Sequence, residues 1–123
     1  MVDSLGVDII ETKRIKKAIG RWGNRFKKRV FSTSEISYCD EKSFPEIFFA
    51  GRFCAKEAAM KALGTGLSQG VVWKDFEIVK KRSGKPELKI SDKIQKRIGK
   101  GKIIISLSHT HDYAIAVALL LKE

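Results

Sequence analysis

The sequence predicts an α+β fold, with helices packed on a largely antiparallel sheet. Three observations lead there. Residues 45 to 63 form one long, alanine-rich stretch with Pro45 at its start and Gly64 just past its end. Two apolar runs, residues 102 to 108 and 113 to 121, close the chain around His109-Thr110-His111-Asp112. Two shorter runs, residues 75 to 81 and 86 to 90, are joined through Ser83-Gly84 as strands of a hairpin would be.

Taken in order, residues 4 to 11 are β-branched and apolar around Gly6, the pattern of a buried strand, with Asp8 as a charge inside it. Residues 12 to 18 carry a helical pattern that Gly20 and Gly23 are expected to break. Ser32-Thr33-Ser34-Glu35 has the form of a capping box opening a short helix. Ser43-Phe44-Pro45-Glu46 reads as a second start of the same kind, and Pro45 suits a first turn, where its missing N–H would find no helical partner. Gly64 stands at the C-cap, so the stretch between is a helix of about five turns. Residues 91 to 100 read as a short, basic amphipathic helix with Ser91 as N-cap.

Composition bounds the class. With 123 residues, 43% hydrophobic and 32% charged, the chain is expected to form a single globular domain over residues 1–123. Cys39 and Cys54 form no C-x-x-C pair, so reduced thiols in a cytosol are expected, with Cys54 as a small core residue. The longest apolar run, residues 114 to 121, is too short to cross a bilayer, and no targeting segment is recognised. The expected location is cytoplasmic, with no membrane partner.

Lys+Arg total 25 against 14 Asp+Glu, a net charge of +11, which points to an anionic partner. Nine of those cations lie between Thr12 and Val30 with no acid among them. Such a run is either a solvated helix face or a docking surface; Trp22 and Phe26, four apart, either supply apolar contact for the second reading or, one or both, belong to the core.

The chemistry rests on polar residues the fold would bury or aim. Glu57 and Lys61 lie at i and i+4 and share a helix face, with Arg52 and Lys56 within a turn or so, while Ala55, Ala58, Ala59 and Ala62 keep the adjacent face slim. Taken alone, Glu57 and Lys61 also fit a helix-stabilising ion pair. Asp8 adds a second carboxylate whose burial must be compensated by a base such as Arg14 or by a cation. Two carboxylates with waters and phosphate oxygens suit Mg²⁺, and Lys61 beside them would face phosphate. Gly84-Lys85 lacks P-loop spacing, His109 and His111 lack partner thiolates for a transition metal, and Ser108, His109 and Asp112 lack a nucleophile elbow.

The segments "GVDIIETKRI" (6 to 15), "FSTSE" (31 to 35), "GRFCAKEAAMKALGTG" (51 to 66), "DFEI" with "GKP" (75 to 86) and "ISLSHTHDYAIAVA" (105 to 118) occur in the order seen in holo-acyl-carrier-protein synthases. The chain resembles the small, single-domain branch of the phosphopantetheinyl transferases over nearly its whole length. The resemblance implies transfer of the 4′-phosphopantetheine arm of coenzyme A to a serine of an apo-acyl carrier protein, releasing adenosine 3′,5′-bisphosphate, in support of fatty acid biosynthesis. It implies a requirement for Mg²⁺, with Mn²⁺ as a possible substitute, and makes Asp8 and Glu57 the metal ligands. Asp8, Glu57 and Lys61 then form the catalytic set. Lys61 stabilises or protonates the leaving group, and the base is Glu57 or a metal-bound water close to it.

By the same resemblance Arg52, Lys61, Gly64, Pro86, His109 and Thr110 match positions that contact coenzyme A. Relatives often carry basic residues just before the long helix where this chain has Ser43 and Phe44, which leaves Lys42 as the cation there. Arg14, Arg21, Arg25, Phe26 and Arg29 fall at or near positions that dock the acidic recognition helix of the carrier protein, which would explain the acid-free run. A homotrimer with sites shared between neighbouring subunits is also implied. The competing class, a basic nucleic-acid-binding module, would leave Asp8 and Glu57 without a role, so no nucleic-acid partner is expected.

Overall fold

A computed structural model describes residues 1–122. Strand β1 (Val2–Glu11) leads into helix α1 (Thr12–Trp22), followed by α2 (Asn24–Val30), α3 (Thr33–Asp40) and the long α4 (Pro45–Leu63). A short 3₁₀ turn (Trp73–Asp75) precedes β2 (Phe76–Lys80) and β3 (Pro86–Ile90), then α5 (Asp92–Ile98), β4 (Lys102–His109) and β5 (Tyr113–Leu121). Two antiparallel sheets result, one in the order β1-β5-β4 and the other the β2-β3 hairpin. The architecture is α+β, as expected.

Helix α4 lies across the inner face of the three-stranded sheet, and small residues on both sides let it come close. Ala55, Ala58, Ala59 and Ala62 of α4 are fully or nearly buried, as are Ala114, Ala116 and Ala118 of β5. The tightest approach is at Gly6, where an added Cβ would stand 2.1 Å from the Ala58 carbonyl oxygen and 2.7 Å from the Ala62 nitrogen. Only glycine fits there. Strand alternation then aims Asp8, two residues on, at the same helix.

The outer face of this sheet differs from the expectation for β1. The strand is apolar on both sides, yet Leu5, Val7 and Ile9 are exposed, and so are their neighbours Tyr113, Ile115 and Val117 on β5 and Ile104 on β4. One chain covers only one face of the sheet.

The capping box at α3 forms as read: Ser32 Oγ accepts from Glu35 N at 3.2 Å and Glu35 Oε1 accepts from Ser32 N at 2.8 Å. The start of α4 does not form one. Phe44 is its N-cap, Pro45 occupies the first turn, and Ser43 lies outside the helix, so proline geometry sets that start without a capping hydroxyl. Gly64 ends α4 in a left-handed conformation, φ 82°. Gly20 does not interrupt α1, which runs on to Trp22; only Gly23, with φ 55°, breaks the path. Packing of α1 on α4 outweighs the modest propensity penalty of one glycine.

Glu35 and Lys56 form a completely buried ion pair at 2.7 Å. Lys56 Nζ also donates to the Val30 carbonyl at 2.7 Å, and Ile78 N donates to Glu35 Oε2 at 2.8 Å. The pair therefore ties α2, α3 and β2 to the middle of α4. This corrects the grouping of Lys56 with Glu57, since neighbouring positions on a helix point about 100° apart. Burial lowers the Lys56 pKa, with Glu35 opposing the shift. Lys56→Met leaves a buried carboxylate without its countercharge and is expected to cost about 3–5 kcal/mol. In urea unfolding, adding Glu35→Gln should recover part of that loss.

Candidate active site

The catalytic set expected from sequence converges where β1 meets α4. Asp8 Oδ1 accepts a hydrogen bond from Lys61 Nζ at 3.2 Å, and Asp8 Oδ2 accepts one from the Cys54 thiol at 3.3 Å. Lys61 Nζ also donates to the Val7 carbonyl at 3.0 Å. Thus Lys61 pairs with Asp8 across the elements, rather than with Glu57 along the helix, and Asp8 does not use Arg14. Lys61 is 53% exposed while Asp8 is 16% exposed. An ion pair so open is weak, which leaves the ammonium group able to move to a phosphate oxygen.

Burial, followed by the neighbouring Asp8 carboxylate, raises the Glu57 pKa above the usual value, with the Lys61 charge acting against both. The protein holds two carboxylates near each other, with one exposed ammonium group paired to Asp8. That is an oxygen donor set a hard divalent cation relieves, with waters and substrate phosphate to complete six positions, so the residues fit Mg²⁺. Among the described residues no group of three or more Asp, Glu, His or Cys side chains is arranged to hold a metal ion, so a cation on Asp8 and Glu57 would need its remaining ligands from substrate and water. The histidines are aromatic partners: His109 meets Phe48 edge-on at 5.1 Å between ring centroids and His111 meets Phe44 at 5.3 Å.

A second cluster gathers cations around an aromatic ring. A hollow of about 150 Å³ is lined by Tyr38, Phe48, Arg52, Lys80, Pro86 and His109 among others, none of them acidic. The Arg52 guanidinium carbon lies 4.1 Å from the Tyr38 ring centroid, Lys42 Nζ at 4.5 Å and Lys80 Nζ at 5.2 Å. Burial acts to raise the Tyr38 pKa, but Lys80, Lys42 and Arg52 together lower it. Arg52 is only 6% exposed, and its Nε has no hydrogen-bond partner among the described residues. A buried donor left unpaired in a pocket without carboxylates is suited to an anion.

Lys42, Arg52, Pro86 and His109, which the resemblance assigns to coenzyme A contact, lie together in this cluster. Tyr38 and Lys80, which join them from α3 and β2, were not expected, because no sequence spacing relates those elements to α4. Gly64 lies apart, at the far end of α4. The Thr110 hydroxyl serves its own turn, accepting from Asp112 N at 3.3 Å and Tyr113 N at 3.1 Å.

On α1 and α2, Arg14, Arg21, Arg25 and Arg29 are exposed. Phe26 is half-buried, 6.0 Å from the Phe31 ring centroid and 6.4 Å from that of Phe53. Trp22, Arg25, Phe26 and Arg29 line one shallow hollow, so the acid-free run presents arginines around an apolar floor.

Two carboxylates suited to a hard cation, and a cationic hollow around the buried Arg52 of the same helix, suit a protein that handles phosphate esters. The chain belongs to the 4′-phosphopantetheinyl transferase superfamily, whose family profile matches residues 4–118. It is 46% identical over 119 residues to the holo-[acyl-carrier-protein] synthase of Protochlamydia amoebophila, covering 97% of this chain and 98% of that one. With the synthase of Chlamydia pneumoniae it shares 47% identity over 117 residues, covering 95% of each. Among solved structures, Helicobacter pylori holo-[acyl-carrier-protein] synthase in complex with coenzyme A superposes with a TM-score of 0.87 at 32% identity, covering 95% of this chain and 99% of that one.

Proposed function

We propose that this protein is a holo-acyl-carrier-protein synthase, transferring the 4′-phosphopantetheine of coenzyme A to a serine of an apo-acyl carrier protein. The observation that carries the chemical reading is the Asp8–Glu57 pair, held against one strand-helix seam with Lys61 beside it. In the reaction the serine oxygen forms a bond to the phosphorus bearing the pantetheine arm. The bond from that phosphorus to the bridging oxygen breaks, and adenosine 3′,5′-bisphosphate leaves. Asp8 and Glu57 would hold Mg²⁺, which when bound would offset the negative charge of the diphosphate. Glu57 takes the serine proton, directly or through a water. Lys61 moves from Asp8 to the leaving phosphate and stabilises the charge that collects there.

Arg52, Lys42 and Lys80 supply the cations for the 3′-phosphate, and Tyr38, Phe48 and His109 supply surfaces for the adenine. Glu57 and Arg52 are five residues apart on one helix, roughly 140° around its axis, so the two clusters face different ways. A site shared between copies resolves this, with carboxylates from one chain and the cation pocket from its neighbour. The uncovered apolar sheet face supports a homotrimer, the packing that would remove Leu5, Val7, Ile9, Ile115 and Val117 from water. Light scattering should return about three times the 13.8 kDa chain mass.

The arginines of α1 and α2 meet the acidic carrier protein. Charge reversal at both positions, Arg14→Glu with Arg21→Glu, is expected to raise KM for the carrier by roughly a hundredfold and leave KM for coenzyme A within about twofold. An unchanged carrier KM would refute the docking role. The reaction itself is tested by intact-mass measurement of an apo-carrier incubated with the protein, coenzyme A and Mg²⁺. A gain of one phosphopantetheine arm supports the reading; no gain, with tight RNA or DNA binding instead, would favour the nucleic-acid alternative that the net charge of +11 also allows.

A further inference from the structure

Cys54 was expected only to fill space in the core, and it is indeed fully buried. Its thiol does more than pack. It lies 3.3 Å from Asp8 Oδ2 and 3.3 Å from the Ala114 carbonyl oxygen, at the point where β1, β5 and α4 meet. One S–H proton has two acceptors here, and the ionised carboxylate is the stronger of them. Lys61 occupies the other oxygen, Asp8 Oδ1, at 3.2 Å.

The two donors differ in kind. Lys61 is 53% exposed and must leave Asp8 if it is to reach a phosphate, so it cannot fix the carboxylate throughout a reaction cycle. Cys54 has no such freedom, since its side chain is enclosed by the helix-sheet seam. Being neutral, a thiol also orients the carboxylate without cancelling the charge a cation needs.

We propose that Cys54 is a positioning residue, whose thiol proton holds the Asp8 carboxylate in the orientation that binds the divalent cation. The proposal rests on the reading of Asp8 and Glu57 as the metal ligands. Asp8 keeps lone pairs free on both oxygens after accepting one hydrogen bond on each, so the thiol restrains rotation without blocking coordination. Groups that hydrogen-bond a metal-binding carboxylate in this way commonly contribute to affinity as well as to geometry.

The test is a titration of Mn²⁺ into the full-length protein with coenzyme A present and carrier absent, followed by the electron paramagnetic resonance signal of the free ion. Cys54→Ala and Cys54→Val, which remove the donor with smaller and larger side chains, are expected to weaken Mn²⁺ binding about tenfold. Cys54→Ser keeps a donor and should stay within about threefold of the parent. Thermal unfolding of each variant identifies those that remain folded, and Cys54→Ala carries the test if the bulkier valine does not fold. Asp8→Asn is the control. If the parent binds Mn²⁺ and Asp8→Asn does not, parent-like affinity in folded Cys54→Ala overturns the positioning role. So does a serine variant as weak as the alanine one. If Asp8→Asn binds as the parent does, the metal-site reading fails as well.

Discussion

Glu57→Gln is expected to lower phosphopantetheine transfer by roughly a thousandfold while leaving the fold intact. Glutamine keeps the shape and volume of the side chain but removes both the negative charge and the ability to take a proton. The native carboxylate is already disfavoured in its charged form by burial and by Asp8, so the fold should tolerate its neutralisation. A half-buried carboxylate beside another of the same sign, only partly offset by Lys61, is poor support for a helix and is suited to a cation or a proton. Near-normal turnover of the variant at saturating Mg²⁺ would remove Glu57 from the mechanism.

Gly6→Ala is expected to be as damaging by a different route. The new methyl group would lie 2.1 Å from the Ala58 carbonyl oxygen, inside any permissible contact, and 2.9 Å from Lys61 Cβ. The obstructing atoms are mostly helix backbone in the interior of α4, so no side-chain rotation relieves the clash. The strand must move off the helix, at a cost of about 3 kcal/mol or more. That movement carries Asp8 away from Glu57 and Lys61, so protein that still folds should need far more Mg²⁺ for transfer. Urea unfolding and the Mg²⁺ dependence of transfer check both halves; parent-like behaviour in both would show that the seam is not what sets the site.

Some of this was legible in the sequence because it depends on local pattern. The i, i+4 spacing of Glu57 and Lys61, the proline and glycine at the ends of α4, and the capping box at Ser32 are properties of one segment, and each is found where pattern placed it, with Ser43 the exception. The basic run of residues 12 to 30 was equally plain, since charge density needs no tertiary structure to be read. What was hidden depends on register between distant segments. Gly6 looked like an ordinary strand glycine, yet its value comes from where α4 crosses. Lys56, adjacent to Glu57 in sequence, turns to Glu35. Tyr38 and Lys80 reach Arg52 from elements with no periodic relation to it. Gly20 misled in the opposite sense, because a propensity penalty of about 1 kcal/mol is smaller than what packing of α1 on α4 supplies.

The exposed sheet face extends the same lesson. Residues 4 to 11 read as a buried strand, and its outward residues are exposed because no second layer among the described residues covers them. In the proposed trimer a partner copy would reconcile the pattern with the fold, and would also bring the carboxylate seam of one chain to the cation pocket of another.

Asp8 and Glu57, facing each other at the β1–α4 seam, are proposed to act as one metal site for transfer. The most direct measurement is transfer to apo-carrier as a function of free Mg²⁺ for the parent and for Asp8→Asn. With these two ligands, transfer is expected to stop in chelator, to recover as Mg²⁺ is restored, and to need roughly a hundredfold more Mg²⁺ in Asp8→Asn. Transfer that continues in chelator, or an Asp8→Asn variant with the Mg²⁺ dependence of the parent, would contradict the metal-site reading.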